Sequence, residues 1–234
     1  MSAGSLRARV RTEMIEEIKT TARKRLAVDG ANLSLRGVAR DMGIVASALY
    51  RYFPSRDDLL TALILDSYRS LGDAATRALR TAPPEDERAQ WLAVCTAVRD
   101  WALANPTEYG LLYGSPIPGY DAPEDTVAPA ATVVMLLVGI AIGAWESGRL
   151  TATPLPTPLP APVRTDLRVL IDQQSPGADF PEEVLDRVFL AWTQLFGLIT
   201  FEIFGRFDGT ISALPIYFTH QMALMADLVG LPAE

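Results

Sequence analysis

The 234-residue chain is long enough for one large domain or two modest ones. Its 49% hydrophobic content argues against global disorder, and its single cysteine, Cys95, excludes an internal disulfide and fits a reducing cytoplasm. The net charge of −7 is unevenly spread: residues 1–56 hold 11 Lys/Arg against 5 Asp/Glu, whereas residues 57–234 hold 10 against 23. A basic quarter on an acidic remainder suits a small nucleic-acid-binding module joined to a second part, although a solvated basic helix has the same composition.

Hydrophobic periodicity is helical along nearly the whole chain, with no two-residue alternation, hairpin signal or internal repeat, so an all-α fold is expected. The N-terminus lacks the apolar run of a signal peptide. The longest apolar stretch, Thr132 to Trp145, is too short to span a bilayer and is expected as a buried helix, with no membrane partner. The first helix is expected over Val10–Asp29, with Met14, Ile18, Ala22 and Leu26 as its apolar stripe and Gly30 as its stop. Arg7, Arg9 and Arg11 read either as a basic arm for a minor groove or as a tail. A second helix starts at the N-cap Ser34, carries Leu35, Val38, Ala39 and Met42, and breaks at Gly43. A short third helix over Val45–Phe53 ends at Pro54. Ser55-Arg56-Asp57-Asp58 is a capping-box variant opening a fourth helix with Leu60, Leu63, Ser67, Leu71 and Ala74 on one face.

From about residue 85 the pattern suggests a separate helical domain. It holds a helix over Glu87–Ala104, a short aromatic segment at Thr107–Tyr113, and a proline-containing loop at 114–131. The prolines at 154, 156, 158, 160 and 162 should make 153–163 extended, as a spacer or an SH3-type ligand; a short helix is expected over 164–173. Two last helices, about 182–205 and 213–229, are apolar on more than one face. In the first, Val184, Val188, Ala191, Leu195 and Ile199 form one stripe, and Leu185, Phe189, Phe196 and Ile203 another. Such helices belong to a central core or are shared with a partner in a four-helix dimer interface.

A helix, a glycine-containing turn and a short helix over 34–53 have the spacing of a helix-turn-helix. In the third helix Ala48, Leu49, Tyr52 and Phe53 should pack inward with Ile44. Ala46, Ser47, Tyr50 and Arg51 are then left to face a major groove: Arg51 for guanine edges, Ser47 for bases or phosphate, Ala46 for a thymine methyl. Ser34 and the amides behind it, Arg56 and the hydroxyls of Tyr50 and Tyr52 are candidate backbone contacts, and Arg36 is a candidate for a base or a phosphate.

Residues 33–60, LSLRGVARDMGIVASALYRYFPSRDDLL, resemble the helix-turn-helix of TetR-family regulators through Leu33, Ser34, Arg36, Ala39, Gly43-Ile44, Leu49-Tyr50, Phe53 and Arg56. Three positions depart from that pattern. Val45 stands where Ser or Thr caps the recognition helix, a loss of ~1 kcal/mol. Tyr52 replaces a His, and Gly37 a frequent acidic residue. The resemblance implies a three-helix DNA-binding domain over 11–71 and a larger helical effector-binding and dimerisation domain over 85–230. It further implies a cytoplasmic homodimer, formed through the last two helices, that binds a palindromic operator in double-stranded DNA as a repressor. A small, largely apolar effector would release it. The C-terminal half also resembles the WHG-type effector domain at Trp192 and Gly197, with Phe196 in the His position. Trp101, Tyr109, Tyr113, Trp145, Glu146, Trp192 and Phe196 are the candidate effector contacts, and Glu202 is a further polar group in an apolar helix.

An enzyme has little to recommend it. The lone histidine, His220, falls in the last helix, Cys95 sits in an apolar helical pattern, and no CxxC, HExxH, P-loop or GxGxxG motif is present. No cofactor or metal is expected. A helical dimer with a basic patch and no specific operator is the other alternative.

Overall fold

The computed structural model describes residues 3–30, 33–151, 155–174, 177 and 179–231 and contains no strand among them. Ten α-helices are formed by these residues: α1 (Ala3–Asp29), α2 (Leu35–Asp41), α3 (Ala46–Leu49), α4 (Arg56–Thr81), α5 (Glu87–Ala104), α6 (Pro106–Tyr113), α7 (Val127–Glu146), α8 (Ala161–Gln174), α9 (Glu182–Ile203) and α10 (Leu214–Val229). They belong to two compact units. One is Met1–Ser70 with Asn105–Ala130, the other Leu71–Ala104 with Ala131–Glu234. Helix α4 passes from the first to the second.

The core of the first unit forms where short apolar faces meet. Ile18, Ala22 and Leu26 of α1 pack with Leu33, Leu35, Val38, Ala39, Leu49, Phe53, Leu59, Leu60 and Leu63. Full burial of each leucine contributes roughly 1.5–3 kcal/mol. The expected boundary near residues 71–85 differs from this division, because α6 and the loop after it return to the first unit. Glu108 of α6 lies 3.7 Å from Arg23 of α1. Leu111, Ile117 and Tyr120 pack against the core, and the Tyr120 and Thr61 hydroxyls are hydrogen-bonded at 2.9 Å.

In the second unit α5, α9 and α10 pack together and α8 lies on α9. The stripe Val184, Val188, Ala191, Leu195 and Ile199 is buried, as its spacing suggests. Trp91 is fully buried and donates its indole N–H to the Met222 carbonyl at 3.2 Å. Gly72 lets α4 approach α7: a Cβ there would come within 2.8 Å of the Thr132 methyl. Glu124–Glu146 and α9 are each long and apolar enough to cross a membrane, a correction to the short apolar run read from Thr132. Both helices bury faces here, Val133, Leu137 and Ala141 of α7 among them. Residues 155–160 lack regular structure, but α8 starts at Ala161, earlier than expected, since Pro162 is tolerated in a first helical turn. Pro154 lies outside the described residues.

Candidate nucleic-acid interface

Local chemistry shapes the segment from Ser34 to Asp58. Ser34 is extended (φ −132°, ψ 139°), and its hydroxyl oxygen accepts the Gly37 amide at 3.2 Å, closing the N-terminus of α2. Gly43 turns the chain with φ +67°, a conformation glycine adopts without a Cβ penalty. The Ile44 amide then donates to the Ala39 carbonyl at 3.0 Å. Helix α3 is shorter than expected. Beyond Leu49 the chain tightens, with Arg51 donating to Ala48 (3.3 Å) and Tyr52 to Leu49 (2.9 Å), before Pro54 ends the run. Ser55 and Asp58 form a reciprocal capping box: the Ser55 amide donates to the Asp58 carboxylate at 2.9 Å and the Asp58 amide to the Ser55 hydroxyl at 3.1 Å.

Leu49 and Phe53 anchor α3 in the core, so Ser47, Tyr50 and Arg51 are left exposed, with Arg36 on the neighbouring helix. None of these four side chains has a hydrogen bond or ion pair among the described residues. These four unengaged polar groups, on α2, on α3 and in the turn that follows α3, form a donor-rich surface. Arg40, one turn beyond Arg36, is also exposed and adds a cation that the family motif does not single out.

Three expected contacts stand differently. Ala46 is half-buried against the core, because the first helical residue falls on the inward side and the 70%-exposed Val45 takes the outward place. Val45 makes no side-chain capping bond. Arg56 is held within the unit: its Nε donates to the Leu33 carbonyl at 3.0 Å, and its guanidinium lies 3.5 Å from Asp57. Tyr52 is half-buried, and the Arg11 guanidinium sits 5.2 Å from its ring centroid. Arg7, Arg9 and Arg11 belong to a continuous helix and not to an arm, with Arg9 paired to Glu13 at 3.2 Å. The basic character is also local. The whole first unit, residues 1–70 and 105–130, carries 12 Lys/Arg and 12 Asp/Glu.

The seven effector candidates are dispersed. Tyr109 and Tyr113 lie in the first unit, stacked 5.1 Å apart, with Tyr68 6.2 Å from Tyr113; burial pushes the Tyr113 hydroxyl far above its ordinary range. Trp101 is buried in the core of the second unit, and Glu146 is exposed at the end of α7. Trp192 and Phe196 belong to an edge-on ladder with Phe189. Only Trp145 of the seven lines the cavity of about 760 Å³ bounded by Leu155, Val163, Arg164, Glu183 and Arg187. Glu202 is engaged by Arg99, whose Nε donates to it at 2.8 Å. Burial drives the Cys95 thiol pKa far upward, which leaves an inert thiol at neutral pH.

The second apolar stripe expected in α9, Leu185, Phe189, Phe196 and Ile203, is buried or half-buried, and the exposed stripe runs elsewhere. Leu190 and Phe201 of α9 and its C-cap Phe204 are 52%, 51% and 48% exposed, and Ile216 of α10 is 74% exposed. Gly197 lies on the same α9 stripe with nothing within 4 Å of a Cβ built there.

A family model described as "Bacterial regulatory proteins, tetR family" matches residues 18–63, and one described as "Tetracyclin repressor-like, C-terminal domain" matches residues 91–225. The HTH-type transcriptional regulator Rv1816 of Mycobacterium tuberculosis is 36% identical over 227 residues, covering 93% of each chain. The HTH-type transcriptional regulator Mb1846 of Mycobacterium bovis matches to the same extent. The crystal structure of SCO4313 superposes with a TM-score of 0.75 at 30% identity, covering 94% of this chain and 98% of that one. A tetR-family regulatory protein from Rhodococcus RHA1 shares the fold, with a TM-score of 0.63 at 16% identity, covering 94% and 98%.

Proposed function

Because the chain belongs to the TetR family of bacterial transcriptional regulators, we propose that it acts as a homodimeric repressor that reads a palindromic operator with α3. The observation carrying this reading is the unengaged set of Ser47, Tyr50 and Arg51, with Arg36 exposed on α2. Arg51 pairs with a guanine edge, while Arg36, Ser34 and the tyrosine hydroxyls of residues 50 and 52 hold phosphates. Two such faces in a dimer enter successive major grooves ~34 Å apart. Arg56 serves this surface indirectly, by fixing the start of α4 to the chain before α2.

The dimer forms through α9 and α10, a reading supported by their half-exposed apolar stripe and the open space at Gly197. A small-molecule effector binds the second unit around Trp145, in the cavity described above. It releases DNA by binding the DNA-incompetent state more tightly. Equal effector affinity with and without operator would sink that mechanism.

The test is selection of fragments of the source genome at physiological salt, followed by sequencing, with Arg51→Ala in parallel. A shared palindrome among the retained fragments, weakened or relaxed by Arg51→Ala, supports operator reading. The charge balance of the first unit favours one competing reading, a helical dimer that binds DNA weakly and without preference. Such a protein loses most of its affinity at physiological salt and enriches no common site.

A further inference from the structure

Helix α1 runs unbroken from Ala3, well before its apolar stripe begins at Met14. Its first turns flank the end of the reading element, where Leu6, Arg7, Val10, Arg11 and Tyr52 line a groove of about 300 Å³. Arg7 and Arg11 stand one helical turn apart on one face. Arg7 has no partner among the described residues, and Arg11 lies over the Tyr52 ring. No carboxylate lines the groove, since Glu13 is taken by Arg9. Leu6 and Val10 are 48% and 49% exposed, so the groove has an apolar strip beside two cations.

We propose that this groove holds the sugar–phosphate backbone flanking the bases read by α3, with Arg7 and Arg11 on a phosphate and Leu6 and Val10 against deoxyribose. Tyr52 directly follows Arg51 in the chain, which brings the groove's edge next to the reading segment. The stacking of Arg11 on Tyr52 pre-orients that guanidinium, which reduces the entropy lost when it meets a phosphate. The inference rests on the DNA-reading proposal and extends it. The N-terminal helix is a built part of the interface, in place of an arm threading a minor groove.

The test uses the full chain and a labelled random-sequence duplex, with binding followed by anisotropy across a salt series. For the Arg7→Ala/Arg11→Ala double variant, the slope of log K against log salt should shrink by about 0.9 for each phosphate that is no longer neutralised. Arg9→Ala removes the same kind of charge from the same segment and should leave the slope near that of the parent. Tyr52→Leu should reduce the slope by releasing Arg11. Tyr52→Phe keeps the ring and should keep the slope while weakening binding at every salt concentration, because a neutral hydroxyl holds a phosphate without releasing a counterion. Circular dichroism and the thermal midpoint establish that each variant folds. A double variant with the parental slope overturns the groove while leaving operator reading to Arg51→Ala. A slope reduced equally by Arg9→Ala reduces the effect to net charge and also overturns it. A parent that binds neither the random duplex nor any genomic fragment overturns both proposals.

Discussion

The Arg25 guanidinium lies against the backbone of Gly37. Its Nη1 donates to the Gly37 carbonyl at 3.3 Å and to the Asp41 carboxylate at 2.6 Å, and a Cβ on residue 37 would sit 2.5 Å from its Nε. The glycine that departs from the family motif therefore makes room for a cation joining α1 to α2. In the helix interior Gly costs about 1 kcal/mol relative to Ala, and bonds to a charged group return about 1.5–3 kcal/mol. Gly37→Ala should lower stability by roughly 1 kcal/mol when Arg25 is present, yet raise it by up to about 1 kcal/mol in an Arg25→Ala background. Urea midpoints of the four proteins measure this coupling. Effects additive to within ~0.5 kcal/mol would remove the contact from the energetics.

Val45 occupies the N-cap of α3 with extended backbone (φ −72°, ψ 140°) and no capping bond. The side chain is 70% exposed, so a hydroxyl there meets no steric obstacle. Val45→Thr should stabilise the first unit by about 0.5–1 kcal/mol, read as a raised thermal midpoint. It should also tighten operator binding, by adding a donor at the edge of the reading face. A midpoint that does not rise shows that the turn, and not the missing cap, limits α3.

The reading segment was legible because its determinants are local. The Ser34 cap, the Gly43 turn and the Ser55–Asp58 box each act within a few residues, and all three take the expected form. Other features were hidden because they depend on contacts between distant segments. Arg56 has the position of a phosphate ligand in sequence, but the Leu33 carbonyl, 23 residues earlier, claims it. Residues 105–130 read as part of the effector domain, but Tyr120 bonds Thr61 across 59 residues and places this segment with the reading unit. The start of α1 was hidden for the opposite reason. Leu6 and Val10 are exposed, so no buried stripe marks those turns as helical.

The buried Cys95 makes a chemical prediction. With its thiol pKa raised by desolvation and no exposed surface, the thiolate population at neutral pH is negligible. Ellman's reagent should leave the native protein untouched and titrate one thiol after denaturation. Stoichiometric reaction of the native state would mean that the second unit opens around α5.

Glu87 is buried at the start of α5 and receives hydrogen bonds from Arg149, one of them from Nε at 3.0 Å. Those bonds hold its carboxyl pKa below the ordinary value of 4.5, outweighing the upward effect of burial. The unfolded chain therefore takes up this proton at a higher pH than the folded chain. The pair's contribution to stability is fully present above about pH 4.5 and is lost as pH falls through the lowered folded value. Glu87→Gln should flatten the acid limb of a plot of thermal midpoint against pH. An unchanged acid limb would assign the acid sensitivity to other carboxylates, such as Glu183, whose pKa is lowered by a backbone amide and Arg164.

Gly197 stands mid-helix, where glycine costs about 1 kcal/mol relative to alanine, and no neighbour within the protomer requires it. Phe201 and Phe204 follow on the same stripe about half exposed, and Ile216 of α10 is more exposed still. A partner helix crossing close at Gly197 would account for the small residue and the uncovered aromatics together. Phe201→Asp places a charge where that partner would bury it, at a cost of at least about 2 kcal/mol, or roughly 30-fold in dimer dissociation. Gly197→Leu fills the space left for the crossing from a position whose Cβ meets no neighbour within 4 Å. Both variants should keep their helical content, sediment as monomers at concentrations where the parent is dimeric, and lose preference for a palindrome over a single half-site. Dimers of undiminished affinity in both variants would place the interface on another face.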